Sequence, residues 1–313
     1  MKTTGKNILL LLALLTAPMV AAEAQESVAM PFVDNALNPR SAAMGGISAG
    51  LSSDAYAQFG NIAAIPFSSD NLAAGVTYNS WQPTAAGINA GVAGAAYRLG
   101  RFGISFGASA AINQSYEGVS ETGVSLGKFT PIDWQVGAGV SYLITDSFSA
   151  GIGLNYASSV TSAYYKDLNT FYADIQLMYV IRQFRISLSG NNLGLPVSSA
   201  SGTKFNLPMN AALAVSYGNV WGRHGLEAGV EGKAYFGGPS AMGCTVGAEY
   251  EYDSLIAVRA GYHYGSEKNG LPSFASVGLG AHVFGVNLDV AYLIAAGNSP
   301  LRNTFSVGVG YSF

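Results

Sequence analysis

The chain has 313 residues, with 15 Lys or Arg and 18 Asp or Glu, so charged side chains make up only 11% of it. Soluble domains carry roughly 25%, and at a mean hydropathy of +0.27 a water-covered surface of this size is excluded. Beyond the N-terminus no run of roughly 18 apolar residues occurs, which excludes membrane-spanning helices. Glycine, at 40 residues, is about twice its usual share. A chain that is apolar overall yet never apolar for long fits an all-β fold: a transmembrane antiparallel β-barrel, whose strands alternate lipid-facing and lumen-facing residues.

In chain order, residues 1–24 read as a secretory signal peptide. Lys2 and Lys6 form a basic start, residues 8–15 an apolar stretch, and Ala22-Glu23-Ala24 a small-x-small pattern. Cleavage is expected between Ala24 and Gln25. Residues 25–70 do not alternate and are rich in small residues. This segment suits a plug in the barrel lumen; a periplasmic tail is the competing reading.

From Leu72 the period is two, and about fourteen strands are expected, leaving 71–313 as the barrel. They cover 72–79, 87–98, 101–113, 133–145, 147–159, 170–181, 183–192, 207–217, 223–236, 241–252, 254–264, 273–283, 285–295 and 303–313. Short links at 99–100, Asp146, Arg182, 218–222, Asp253 and 284–285 alternate with longer ones, as periplasmic turns alternate with external loops in outer-membrane barrels. An even count puts both termini in the periplasm. The last strand alternates Phe305, Val307, Val309, Tyr311 and Phe313 with Ser and Gly. Its Tyr311 and terminal Phe313 fit the address read by the barrel-assembly machinery of Gram-negative bacteria.

Several chemistries find no footing. Gly137-Ala138-Gly139 and Gly308-Val309-Gly310 lie within strands, so no dinucleotide fingerprint exists; glycine there makes room for a plug or for strand curvature. His224, His263 and His282 lack metal-ligand spacing, and the single Cys244 excludes a disulfide or a cysteine cluster. No nucleophile elbow occurs. No catalytic residue, metal or cofactor is expected, and a net charge of −3 without a basic stripe speaks against nucleic acid as a partner.

The phase of alternation sorts the charges. With Leu226, Ala228 and Val230 toward lipid, Glu227, Glu231 and Lys233 face the lumen. Glu249 and Glu251 face inward on the next strand, and Arg259 and His263 on the one after. A hairpin centred on Asp253 pairs Gly247 with Arg259 and leaves Glu249 as its diagonal neighbour. These groups either neutralise one another and hold the plug, or line a polar path for a solute. Cys244 takes the outward phase, as do Tyr78, Tyr142, Tyr262, Tyr292 and other tyrosines suited to interfacial girdles.

The N-terminal segment contains Asn38-Pro39-Arg40-Ser41-Ala42-Ala43-Met44-Gly45-Gly46, then Asp54-Ala55-Tyr56-Ala57 and Asn61. Further along come Gly190-Asn191-Asn192-Leu193-Gly194, Leu207-Pro208, Val258-Arg259-Ala260-Gly261-Tyr262 and Leu288-Asp289-Val290-Ala291-Tyr292. Together these residues resemble the PorV/PorQ family of outer-membrane proteins, which is itself similar to FadL-type transporters with a 14-stranded barrel and an N-terminal hatch. Where that family has Asn-Pro-Ala, this chain has Asn61-Ile62-Ala63, implying a differently shaped hatch turn. The resemblance implies a docking or shuttle component for protein secretion and surface attachment of the type IX kind. Cargo or translocon proteins would then bind external loops 114–132 and 193–206. The alternative it implies is a FadL-like passive transporter of hydrophobic small molecules. Either way the barrel is expected among outer-membrane lipid, in a Gram-negative, Bacteroidetes-like bacterium.

Overall fold

A computed structural model describes residues 28–313 apart from 121, 163–165, 200–201, 239 and 267–269. The expected cleavage point at Ala24 and Gln25 lies outside the described residues. In the barrel, β-branched or aromatic residues meet lipid while the small or polar residues between them meet the lumen, so the chain is extended throughout. Residues Val286, Leu288, Val290, Tyr292 and Ile294 are all exposed outward, as this pattern requires.

The strands are β1 (Leu72–Trp81), β2 (Ile88–Leu99), β3 (Phe102–Ile112), β4 (Tyr116–Val119), β5 (Ser125–Phe129), β6 (Ile132–Thr145), β7 (Phe148–Val160), β8 (Leu168–Ile181) and β9 (Phe184–Gly194). They continue with β10 (Val197–Ser198), β11 (Lys204–Phe205), β12 (Asn210–Trp221), β13 (His224–Tyr235), β14 (Ala241–Tyr252), β15 (Ile256–Tyr264), β16 (Phe274–Val283), β17 (Val286–Ile294) and β18 (Phe305–Ser312). Fourteen of these close an antiparallel barrel in the order β1-β18-β17-β16-β15-β14-β13-β12-β9-β8-β7-β6-β3-β2. The seam pairs Ala73 with Ser312 and Ser80 with Phe305, and beyond it Asn71 N–H donates to Phe313 O at 2.7 Å. Closure removes the free edges that hydrocarbon cannot satisfy. The remaining four strands form the hairpins β4–β5 and β10–β11 within two long links that the sequence reading treats as plain loops.

Two expectations need correction. The strand expected at 207–217 is shifted to Asn210–Trp221. Pro208 has no N–H to give a ladder, and the tight turn falls instead at Gly222, whose φ is +61°. The hairpin after β14 is centred on Ser254, so Glu249 pairs directly with Arg259 and Gly247 with Gly261. Asp253 and Ser254 both take positive φ there, and Leu255 N–H donates to Tyr252 O, making a three-residue loop where a single turn residue was assumed.

Residues 30–67 occupy the lumen as a hatch built from short turns: a 3-10 turn at Pro31–Asp34, helix α1 (Pro39–Ala43) and two further 3-10 segments, Ala57–Phe59 and Ile62–Phe67. Asn38 caps α1 by accepting from Arg40 N–H at 3.0 Å, with Pro39 at the first helical position. The helix ends at Gly45, φ +78°, where a Cβ would also lie 2.7 Å from Thr245 Cγ2. Met44, Ile47, Ile62 and Ala63 are fully buried between hatch and wall.

Lumen-facing glycines admit the hatch backbone. A Cβ at Gly94 would sit 2.4 Å from Ala55 O, one at Gly107 2.6 Å from Phe59, and one at Gly261 2.2 Å from Gly45 N. Part of the excess of glycine therefore reflects packing of a plug against a wall, and part serves turns such as Gly100 and Gly222.

Candidate functional site

Two polar systems and two cavities define the lumen. The first system is centred on Arg40, placed by the cap of α1 against β13 and β14. Its Nη2 bonds Glu227 and Glu249, each at 2.8 Å, and its Nε bonds Glu249 at 2.9 Å. Its Nη1 donates to Ser52 O at 3.2 Å. Arg259 bridges Glu249 to Asp289, and Arg185 reaches Glu227 at 3.1 Å. Ser52 also donates to Glu227 through both N–H and hydroxyl. Burial alone would lower the Arg40 pKa, but Glu249 and Glu227 outweigh it and hold the guanidinium charged, well above its ordinary value. Buried charges persist only when paired and bonded in this way.

Around this system the hatch is stapled to itself and to the wall. Asn38 donates to Asp54 at 2.6 Å, and Asp54 accepts from Tyr56 N–H at 2.8 Å. Burial pushes the Asp54 carboxyl above the usual carboxylate range, against the pull of Arg40. Asn61 bonds Ser187 at 2.8 Å and Ala63 N–H at 3.0 Å, so the departure at Ile62 leaves an Asn-capped 3-10 turn. Gln58 joins Asn155 and Ser105 of the wall.

The second system lies nearer the long loops. Glu231 accepts from Ser48 N–H (2.9 Å) and Ala49 N–H (2.7 Å). Asp34 accepts from Tyr235 and Asn210 and lies 3.5 Å from Lys233 Nζ.

Above Asp34 and Lys233 a vestibule of about 520 Å³ opens among the long loops. Trp81, Leu271, Phe274 and Leu301 supply its apolar wall, and Asp34, Glu231, Lys233 and His263 its floor. Below, a small cavity of about 90 Å³ shares Asp34, Asn35, Ala36, Gly46 and Lys233 with the vestibule and runs to Asp174, Asn191 and Asn192. There the wall is irregular: the β8–β9 register shifts between Ala173 and Ile175, Asn192 takes φ +58°, and its N–H bonds Asp174 at 2.8 Å. This is a β-bulge, a device that bends a barrel wall.

Of the residues singled out from sequence, Asn38, Pro39, Arg40, Met44, Gly45, Gly46, Asp54, Ala55, Tyr56 and Asn61 all lie in the hatch within the barrel. Glu227, Glu231, Lys233, Glu249 and Arg259 all meet hatch groups or one another. Glu251 is half-buried and makes no ion pair among the described residues. Tyr311 and Phe313 are outward and exposed, with ring centroids 5.9 Å apart. The sequence reading missed Asp34, Arg185 and the vestibule aromatics as site residues. Arg185 and Asp289 carry the inward phase of their strands and were open to the same argument as Glu227; Asp34 lies outside any strand and has no phase.

The sequence matches no family model and no curated protein. Solved structures do match. The Ralstonia pickettii toluene transporter TbuX is 14% identical, with 88% of this chain and 97% of that one covered and a TM-score of 0.60. The toluene transporter TodX of P. putida is 13% identical over 88% and 97%, with a TM-score of 0.61. A Pseudomonas aeruginosa FadL homologue is 12% identical over 88% and 98%, with a TM-score of 0.55. These likenesses establish the fold: a closed 14-stranded barrel of the FadL type.

Proposed function

We propose that this chain is a passive outer-membrane channel for small hydrophobic molecules. The observation that carries the reading is the vestibule of about 520 Å³ under the long loops, walled by Trp81, Leu271, Phe274 and Leu301. It lies in the size range of small-molecule sites, in a fold shared with transporters whose names specify toluene. A solute collects there, and the hatch beneath it, braced by Asp34 and Lys233, closes the way to the smaller cavity beside the β8–β9 bulge. Arg40 and its carboxylates anchor the hatch. In this reading residues 1–24 are the signal peptide, 25–70 the hatch and 71–313 the barrel. Both termini are periplasmic, and Tyr311 with Phe313 addresses the chain to barrel assembly in a Gram-negative outer membrane.

A PorV/PorQ-type role in secretion is the weaker reading. Two of the structures named above are toluene transporters by name, and none is named for secretion. Uptake of labelled toluene separates the two. Cells lacking the gene should take it up more slowly than complemented cells while their secreted proteins stay unchanged. Equal uptake with stranded cargo would reverse the choice.

A further inference from the structure

The vestibule floor is more polar than a bare hydrocarbon requires. Lys233 Nζ has three donors, and among the described residues its one ion-pair partner is Asp34 at 3.5 Å. His263 stacks on Phe274, with centroids 5.2 Å apart and planes at 20°. Its Nδ1 is joined to Thr245 Oγ1 at 2.9 Å, and among the described residues its Nε2 has no bonded partner. Both groups line the vestibule beside Trp81. A hydrocarbon resting there would cover these polar atoms without replacing their water, which costs affinity.

An anion fares no better. Among the described residues, Asp34 and Glu231 share the floor with one cation, Lys233, so with the imidazole neutral these groups are net negative, and a carboxylate would bring a third negative charge. A neutral hydroxyl satisfies both requirements. It accepts from the Lys233 ammonium, and it bonds Nε2 of His263 in either tautomer, because a hydroxyl both donates and accepts. The aromatic wall supplies stacking surface for the ring that carries it.

We propose that the vestibule selects neutral, hydroxyl-bearing aromatic molecules of the phenol class over bare aromatic hydrocarbons and over aromatic carboxylates. The proposal rests on the transport reading and narrows its substrate class.

The test is binding of p-cresol, toluene and p-toluate to the full-length mature protein in detergent, read by calorimetry and by quenching of tryptophan fluorescence. p-Cresol is expected to bind about tenfold tighter than either, the effect of one good hydrogen bond. In His263→Phe, which keeps the stack on Phe274, that preference should shrink severalfold while toluene affinity holds or rises. Lys233→Met should act in the same direction. Equal affinity for p-cresol and toluene overturns the selectivity and leaves transport standing. Tightest binding of p-toluate overturns it in favour of an anion site, and an unchanged preference in both variants removes these residues from recognition. Failure of all three ligands to bind overturns the transport reading as well.

Discussion

Two of the places where the hatch is held use charge in different ways. At Arg40 a single guanidinium engages Glu227 and Glu249, and Arg185, Arg259 and Asp289 extend the network into the wall. At Asp34 the hatch meets Lys233 across 3.5 Å, with hydrogen bonds from neutral side chains, at the edge of a vestibule. The first arrangement is an anchor, because Arg40 is buried between two carboxylates and its removal leaves Glu227 and Glu249 with one cation each. The second is a brace: its groups are about as buried, but it rests on one ion pair at 3.5 Å where the first rests on five, all shorter. A plug fixed at one end and lightly braced under the loops is suited to yield at the brace.

The contrast predicts unequal effects. Arg40→Ala should destabilise the barrel by about 3–5 kcal/mol, the usual cost of breaking a buried pair, seen as a lower unfolding midpoint in detergent. A loss under about 1 kcal/mol would show that the network is not an anchor. Gly261→Val tests the same contact sterically, since even a Cβ there would lie 2.2 Å from Gly45 N. It should cost about 1–3 kcal/mol or more, measured the same way, and wild-type stability would mean the hatch does not press on β15. Asp34→Asn should cost about 1 kcal/mol yet raise ion conductance in planar bilayers by loosening the brace; unchanged conductance would deny it a gating position. Glu251→Gln should change stability by no more than about 0.5 kcal/mol, although sequence alone groups Glu251 with Glu249.

That last pair shows what sequence could reach. Alternation places Glu227, Glu249, Glu251 and Arg259 on the lumenal face, because side-chain direction in a strand has a strict period of two. It does not tell which of them meets the hatch, since that depends on where a non-periodic segment sits. Arg40 and Asp34 were opaque as partners for this reason, although Asn38-Pro39 announces the cap that places Arg40. The Asp253 hairpin shows another limit. Two positive-φ residues lengthen its loop and shift the register by two, which keeps every side chain on its expected face and still changes a diagonal contact into a direct pair. The vestibule was hidden altogether, because its wall comes from strand ends and links distant in the chain.

On the transport reading, solutes pass through the vestibule and around the hatch. Ala36 lies where the vestibule meets the smaller cavity, so Ala36→Trp should block that passage while leaving the Arg40 anchor intact. The direct measurement is the initial uptake rate of a labelled aromatic solute, p-cresol or toluene, at matched amounts of protein in the outer membrane. The wild-type chain should raise uptake severalfold over cells lacking it, and Ala36→Trp should return it to that baseline. Equal rates in all three strains would contradict the account.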